Sequence, residues 1–144
     1  MVPGLDTERI SKHLEDISES LRILASFRPA SFDLFASDPK TQWAVEKGLE
    51  RCIQDVLDVC AHILAALGAP VPDDYASIIH ELGRKHVLPP EFAMRIAPMA
   101  GFRNILVHRY LDVDLREVYS VLTNRLDDFR QFARYVVEFI DANR

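Results

Sequence analysis

Apolar residues recur at intervals of three and four along most of this chain, the spacing that collects them on one face of an α-helix. Ile10, Leu14, Ile17, Leu21 and Leu24 form the first such stripe and predict a helix of about 20 residues. Asp6 or Thr7 can cap its start, and Arg28-Pro29-Ala30-Ser31 breaks it. Ser37-Asp38-Pro39 joins a capping side chain to a proline in the first turn, where the missing N–H costs no hydrogen bond. Leu49, Ile53, Val56, Cys60, Ile63 and Leu67 then mark a second helix, closed by Gly68.

Ala69-Pro70-Val71-Pro72-Asp73-Asp74 is a turn, and a short third helix from Tyr75 to Lys85 carries Ile78, Ile79 and Leu82. Pro89-Pro90 opens a fourth, with Phe92, Ile96, Met99, Phe102 and Leu106 on one face. Pro98 lies inside it, so a kink or a restart is expected there. Leu111-Asp112-Val113 ends that helix. Asp114-Leu115-Arg116-Glu117 resembles a capping box and starts the last one, with Leu115, Val118, Leu122, Leu126, Phe129, Ala133, Val136 and Ile140 as its stripe. No segment alternates with the two-residue period of a strand. The pattern predicts an all-α, antiparallel bundle of about five helices.

Composition changes this picture little. The 144 residues fit a single domain over 1–144 with a core of its own. No apolar run approaches the roughly 18 residues of a membrane span. Met1-Val2-Pro3-Gly4-Leu5-Asp6 has no signal-peptide character, so a cytoplasmic location is expected. Cys52 and Cys60 would sit about 12 Å apart along one helix, too far to bridge, and read as buried thiols. The histidines (His13, His62, His80, His86 and His108) are scattered, so no metal site and no cofactor are expected.

Charge is more telling. The net charge is −5, yet His80 to Tyr110 holds Arg84, Lys85, Arg95, Arg103 and Arg109 against only Glu81 and Glu91. A local basic face on an acidic body suits one RNA strand or a small anion better than a long duplex. Elsewhere, Asp55 and Asp58 read as surface charge on the second helix and Trp43 as packing. His86, after Arg84-Lys85, reads as a solvated helix end.

The candidate chemistry lies in Arg103-Asn104-Ile105-Leu106-Val107-His108-Arg109-Tyr110. A guanidinium stays charged and can hold a phosphate, and an imidazole changes charge close to neutral pH and can move a proton. Asn104 and His108 are four residues apart, so the amide can fix the imidazole tautomer. Arg103 and His108, however, differ by about 140° around a helix. One straight helix does not aim both at one phosphorus atom. Two copies meeting about a two-fold axis would, which makes a homodimer the expectation. Taken alone, the same residues also describe a solvated arginine and a helix-capping histidine.

Arg103, His108 and Tyr110 together resemble the R-x4-H-x-Y signature of the HEPN (higher eukaryotes and prokaryotes nucleotide-binding) domains, in their HepT-like toxin branch. Glu50-Arg51-Cys52-Ile53-Gln54, His62-Ile63, Pro72, Tyr75 and Met99-Ala100-Gly101-Phe102 match that branch in order. The resemblance covers residues 5–142 and leaves the role of residues 28–40 unassigned. It implies a homodimeric all-α bundle and a metal-independent endoribonuclease that cuts RNA, tRNA above all, leaving 2′,3′-cyclic phosphate and 5′-hydroxyl ends. Arg103 and His108 would be catalytic, with Asn104 supporting them. It also implies a partner, a minimal nucleotidyltransferase antitoxin that moves AMP from ATP onto Tyr110. The alternative is a helical binding module that holds a nucleotide or docks a nucleotidyltransferase without cutting.

Overall fold

The computed structural model describes residues 2–144. Among these residues there are eight α-helices, one short 3-10 turn and no strand. The α-helices are α1 (Thr7–Ser26), α2 (Phe32–Ala36), α3 (Pro39–Ala66), α4 (Tyr75–Arg84), α5 (Pro90–Ile96), α6 (Met99–His108), α7 (Leu115–Asn124) and α8 (Leu126–Ala142). The 3-10 turn, Tyr110–Asp112, links α6 to α7. None of the helices is long and apolar enough to cross a membrane.

The long α3 is the axle on which α1, α2, α4, α6, α7 and α8 pack, while α5 packs on α4. Its 28 residues begin at Pro39 and are capped by Asp38, whose side chain accepts from the Thr41 amide. Leu49, Ile53, Val56, Leu57, Val59, Ile63 and Leu64 are all buried and make one broad apolar face of the helix. Removing one such side chain costs about 2–5 kcal/mol, because the cavity left behind closes only in part. Past its end, Gly68 takes φ +76°, a conformation that a Cβ penalises.

Helix α1 lies antiparallel to α3, as three cross-contacts show. The Asp6 amide donates to His62 Nε2 at 3.0 Å, His13 Nδ1 lies 2.8 Å from Asp55 Oδ1, and Arg51 Nε donates to Asp16 Oδ2 at 2.9 Å. Numbers rise along α1 as they fall along α3.

Two breaks and one extra helix raise the count above five. Pro98 does restart the fourth helix, dividing it into α5 and α6. The last stripe is divided at Arg125 (φ −121°, ψ 2°), whose guanidinium donates to the buried Asp128 at 2.8 Å. That contact folds the backbone into a corner without glycine or proline, while the apolar stripe runs on past it. The extra helix, α2, is capped by Ser31 and sets Phe32 and Phe35 against Tyr119 of α7, both at 5.7 Å between ring centroids. This gives the 28–40 segment a packing role.

Two further expectations are corrected. Asp55 is not surface charge but a buried carboxylate, because α1 covers that side of α3. Trp43 does not pack inside: it is 74% exposed on the first turn and a half of α3.

Candidate ribonuclease site

Helix α6 carries the candidate residues. Ala100, Phe102 and Leu106 are buried and fix its apolar face on the core, which turns the adjoining azimuth, that of Arg103, toward the polar edge of α3. Arg103 is half-buried there. Its Nε donates to Gln54 Oε1 at 2.9 Å and its Nη1 to Asn104 Oδ1 at 3.2 Å. Gln54 Nε2 in turn donates to Asp58 Oδ1 at 2.8 Å.

His108 is the last residue of α6 and is exposed. Asn104 Oδ1 accepts from Arg103, where the sequence suggested a bond to the imidazole. Beyond His108 the backbone turns at Arg109, and the 3-10 turn projects Tyr110 and Leu111, 71% and 87% exposed. Arg109 braces this turn by donating to Asp112 Oδ2 at 3.0 Å, while the Asp112 amide donates to the Arg109 carbonyl at 2.8 Å. The structure thus places Arg103, Asn104, His108 and Tyr110 on one short segment. It does not bring Arg103 and His108 into contact.

The basic window read from the sequence is largely compensated. Arg84 faces Glu81 at 2.9 Å, Arg95 faces Asp128 at 3.0 Å and Arg109 faces Asp112 at 2.9 Å. Arg103 differs: both of its acceptors are neutral amide oxygens, so its charge stays available to an anion. Among the described residues no group of three or more His, Cys, Asp or Glu side chains is placed to hold a metal ion.

A profile of the family described as ribonuclease HepT-like matches residues 17–136. The chain belongs to that family. It is 31% identical over 131 residues to a tRNA nuclease HepT of Aphanizomenon flos-aquae, covering 91% of this chain and 89% of that protein. An mRNA nuclease HepT of Shewanella oneidensis is 29% identical over 98 residues, 68% of this chain and 74% of the relative. Among solved structures, the tri-AMPylated Shewanella oneidensis HEPN toxin in complex with MNT antitoxin superposes with a TM-score of 0.82. At 23% identity that match, over 90% of this chain and 97% of the other, shows the shared fold. YutE, a cytosolic protein of unknown function from Bacillus subtilis, shares the fold as well, at TM-score 0.85 and 17% identity over 97% of this chain and 94% of the other.

Other polar features lie apart from α6. His13, Asp16, Arg51 and Asp55 form a cluster between α1 and α3. Burial, and after it the neighbouring Asp16 carboxylate, push Asp55 up to about 7, while the Arg51 guanidinium holds Asp16 down to about 2. Gln54, which holds the candidate arginine, stood in the sequence only as part of a matching pattern. No spacing rule pairs it with a residue 49 positions away.

Proposed function

We propose that this chain is the toxin of a toxin–antitoxin pair, a metal-independent endoribonuclease acting on RNA, with tRNA the foremost candidate. The observation that carries the reading is Arg103, held by neutral partners with its charge intact, on the same short helix as an exposed His108 in a HepT-like chain.

In the reaction, the ribose 2′-hydroxyl loses its proton and its oxygen attacks the adjacent phosphorus. The P–O5′ bond breaks, and the leaving oxygen takes up a proton. The products are a 2′,3′-cyclic phosphate and a 5′-hydroxyl. His108 exchanges the proton, and Arg103 binds the phosphate and stabilises the charge that grows on its oxygens. Asn104 steadies the guanidinium. DNA lacks the attacking hydroxyl and is not cut.

Arg103 and His108 diverge around α6, so two chains are needed to surround one phosphate, and the working form is a homodimer. The partner in control is a minimal nucleotidyltransferase that transfers AMP from ATP to the exposed Tyr110 hydroxyl and releases pyrophosphate. The added phosphate places negative charge two residues from His108 and obstructs the RNA.

Purified protein should cleave RNA in EDTA and leave cyclic-phosphate ends, and Arg103→Ala and His108→Ala should each abolish cleavage. Sedimentation should give a dimer. If wild type and both variants are equally inactive on RNA and equally harmless on induction, the chain is instead a non-catalytic binding module.

A further inference from the structure

We propose that Gln54 and Asp58 of α3 are positioning residues that hold Arg103 ready for a phosphate while leaving its charge unspent. The proposal rests on the ribonuclease reading and adds two residues to it.

The geometry is a chain of three hydrogen-bonding side chains: Asp58 Oδ1 accepts from Gln54 Nε2 at 2.8 Å, and Gln54 Oε1 accepts from Arg103 Nε at 2.9 Å. Only one orientation of the Gln54 amide satisfies both ends. Turned over, its NH2 would face the Arg103 N–H donor, and its oxygen would face the Asp58 carboxylate. Asp58 therefore fixes the amide, and the amide fixes the guanidinium. All three groups are half-buried, so water competes less for these bonds than on an open surface.

A carboxylate at position 54 would hold the arginine more strongly but would give it a counter-charge, which a substrate phosphate must displace. An amide backed by a carboxylate one helical turn away supplies direction without neutralisation. With Nε engaged and one Nη1 hydrogen on Asn104, the remaining Nη hydrogens are left for a phosphate. Pairs one turn apart within a helix add little to stability. The value of this one lies in where it aims the guanidinium.

The test combines steady-state RNA cleavage, thermal melting and the NMR signal of the Arg103 Nε–H, assigned by its loss in Arg103→Lys. In wild type that signal should be sharp and slow to exchange; Gln54→Leu should abolish it with the melting midpoint preserved. The same variant should lower kcat about 10- to 100-fold and leave KM within about threefold, the signature of a misaimed group. In an Arg103→Lys background, which lacks the Nε donor, Gln54→Leu should cost nothing further. Gln54→Glu keeps the acceptor and adds the counter-charge, so KM should rise several-fold with the Nε–H signal retained. Asp58→Asn, which allows the amide to turn over, should show a smaller version of the Gln54→Leu effect and serves if that variant does not fold.

Equal losses from Gln54→Leu in both backgrounds, or wild-type kinetics with an unchanged Nε–H signal, would overturn the proposal. Should wild type cut no RNA while the signal still depends on Gln54, the ribonuclease reading fails and the positioning of Arg103 stands.

Discussion

His13 Nδ1 and Asp55 Oδ1 lie 2.8 Å apart across the α1–α3 seam, and the other oxygen of that carboxylate is buried without a hydrogen-bond partner. Burial raises Asp55 to about 7, above the 3.8 of a free aspartate. The folded chain thus keeps a proton that the unfolded chain has already lost. The contribution of Asp55 to stability is complete below about pH 4 and declines as pH rises through about 7. Asp55→Asn, which cannot ionise, should therefore gain on wild type in melting temperature between pH 4 and pH 8. A difference that stays constant across that range would show that Asp55 is not held protonated.

Asp128, 1% exposed, sits under the Arg95 and Arg125 guanidiniums at 3.0 and 2.8 Å and pins the corner between α7 and α8. Asp128→Asn should lower stability by about 2–4 kcal/mol. Arg95→Gln, which leaves Arg125 in place and removes a half-exposed group, should cost under half of that. Urea titration at neutral pH distinguishes the two; equal costs would mean the carboxylate does not organise the corner.

Two helical glycines should respond oppositely to alanine. A Cβ on Gly83 would meet the Ala93 Cβ at 2.7 Å, where α4 crosses α5, so Gly83→Ala should destabilise by about 1–3 kcal/mol. A Cβ on the exposed Gly101 meets nothing within 4 Å, so Gly101→Ala should stabilise the folded chain by about 0.5–1 kcal/mol. Destabilisation at Gly101, measured in the same melts, would reveal a neighbour against α6 that a single chain does not supply.

Tyr110→Phe removes the hydroxyl and leaves the ring on its turn. It should cleave RNA at a rate within about threefold of wild type, since the hydroxyl transfers no proton in the proposed chemistry. It should also resist AMP transfer and stay toxic beside the nucleotidyltransferase. Mass analysis after incubation with that enzyme and ATP settles the point: AMP added elsewhere at wild-type level would remove Tyr110 from its regulatory place.

The helices that the sequence declares most openly are those with both a stripe and a boundary signal. Helix α1 has Asp6 and α3 has Asp38-Pro39 and Gly68, and Pro98 announced its interruption. Helix α2 was hidden because five residues make too short a stripe to recognise, and its two phenylalanines answer to Tyr119, far along the chain. The corner at Arg125 was hidden because Leu122 and Leu126 keep the helical interval across it, so only the buried Asp128 explains the turn. Asp55 misled for a related reason. Its own helix places it beside polar neighbours, and nothing local says that α1 will cover them.

The candidate site divides along the same line. Arg103, Asn104, His108 and Tyr110 are legible because they are close in sequence and form a recognisable pattern. What steadies Arg103 is not, since it comes from α3. The exchange of partners at Asn104, arginine in place of imidazole, accompanies that same distant contact of the guanidinium with Gln54.

The 3-10 turn that carries Tyr110 stands outside every apolar contact that keeps α6 in place. A bulky group fastened there changes what can approach the chain and leaves its architecture untouched. Silencing by this route would be written in a covalent mark, not in a damaged fold. Diluting or degrading the modifying enzyme would then release no activity from chains already marked; only newly made ones would be free to act.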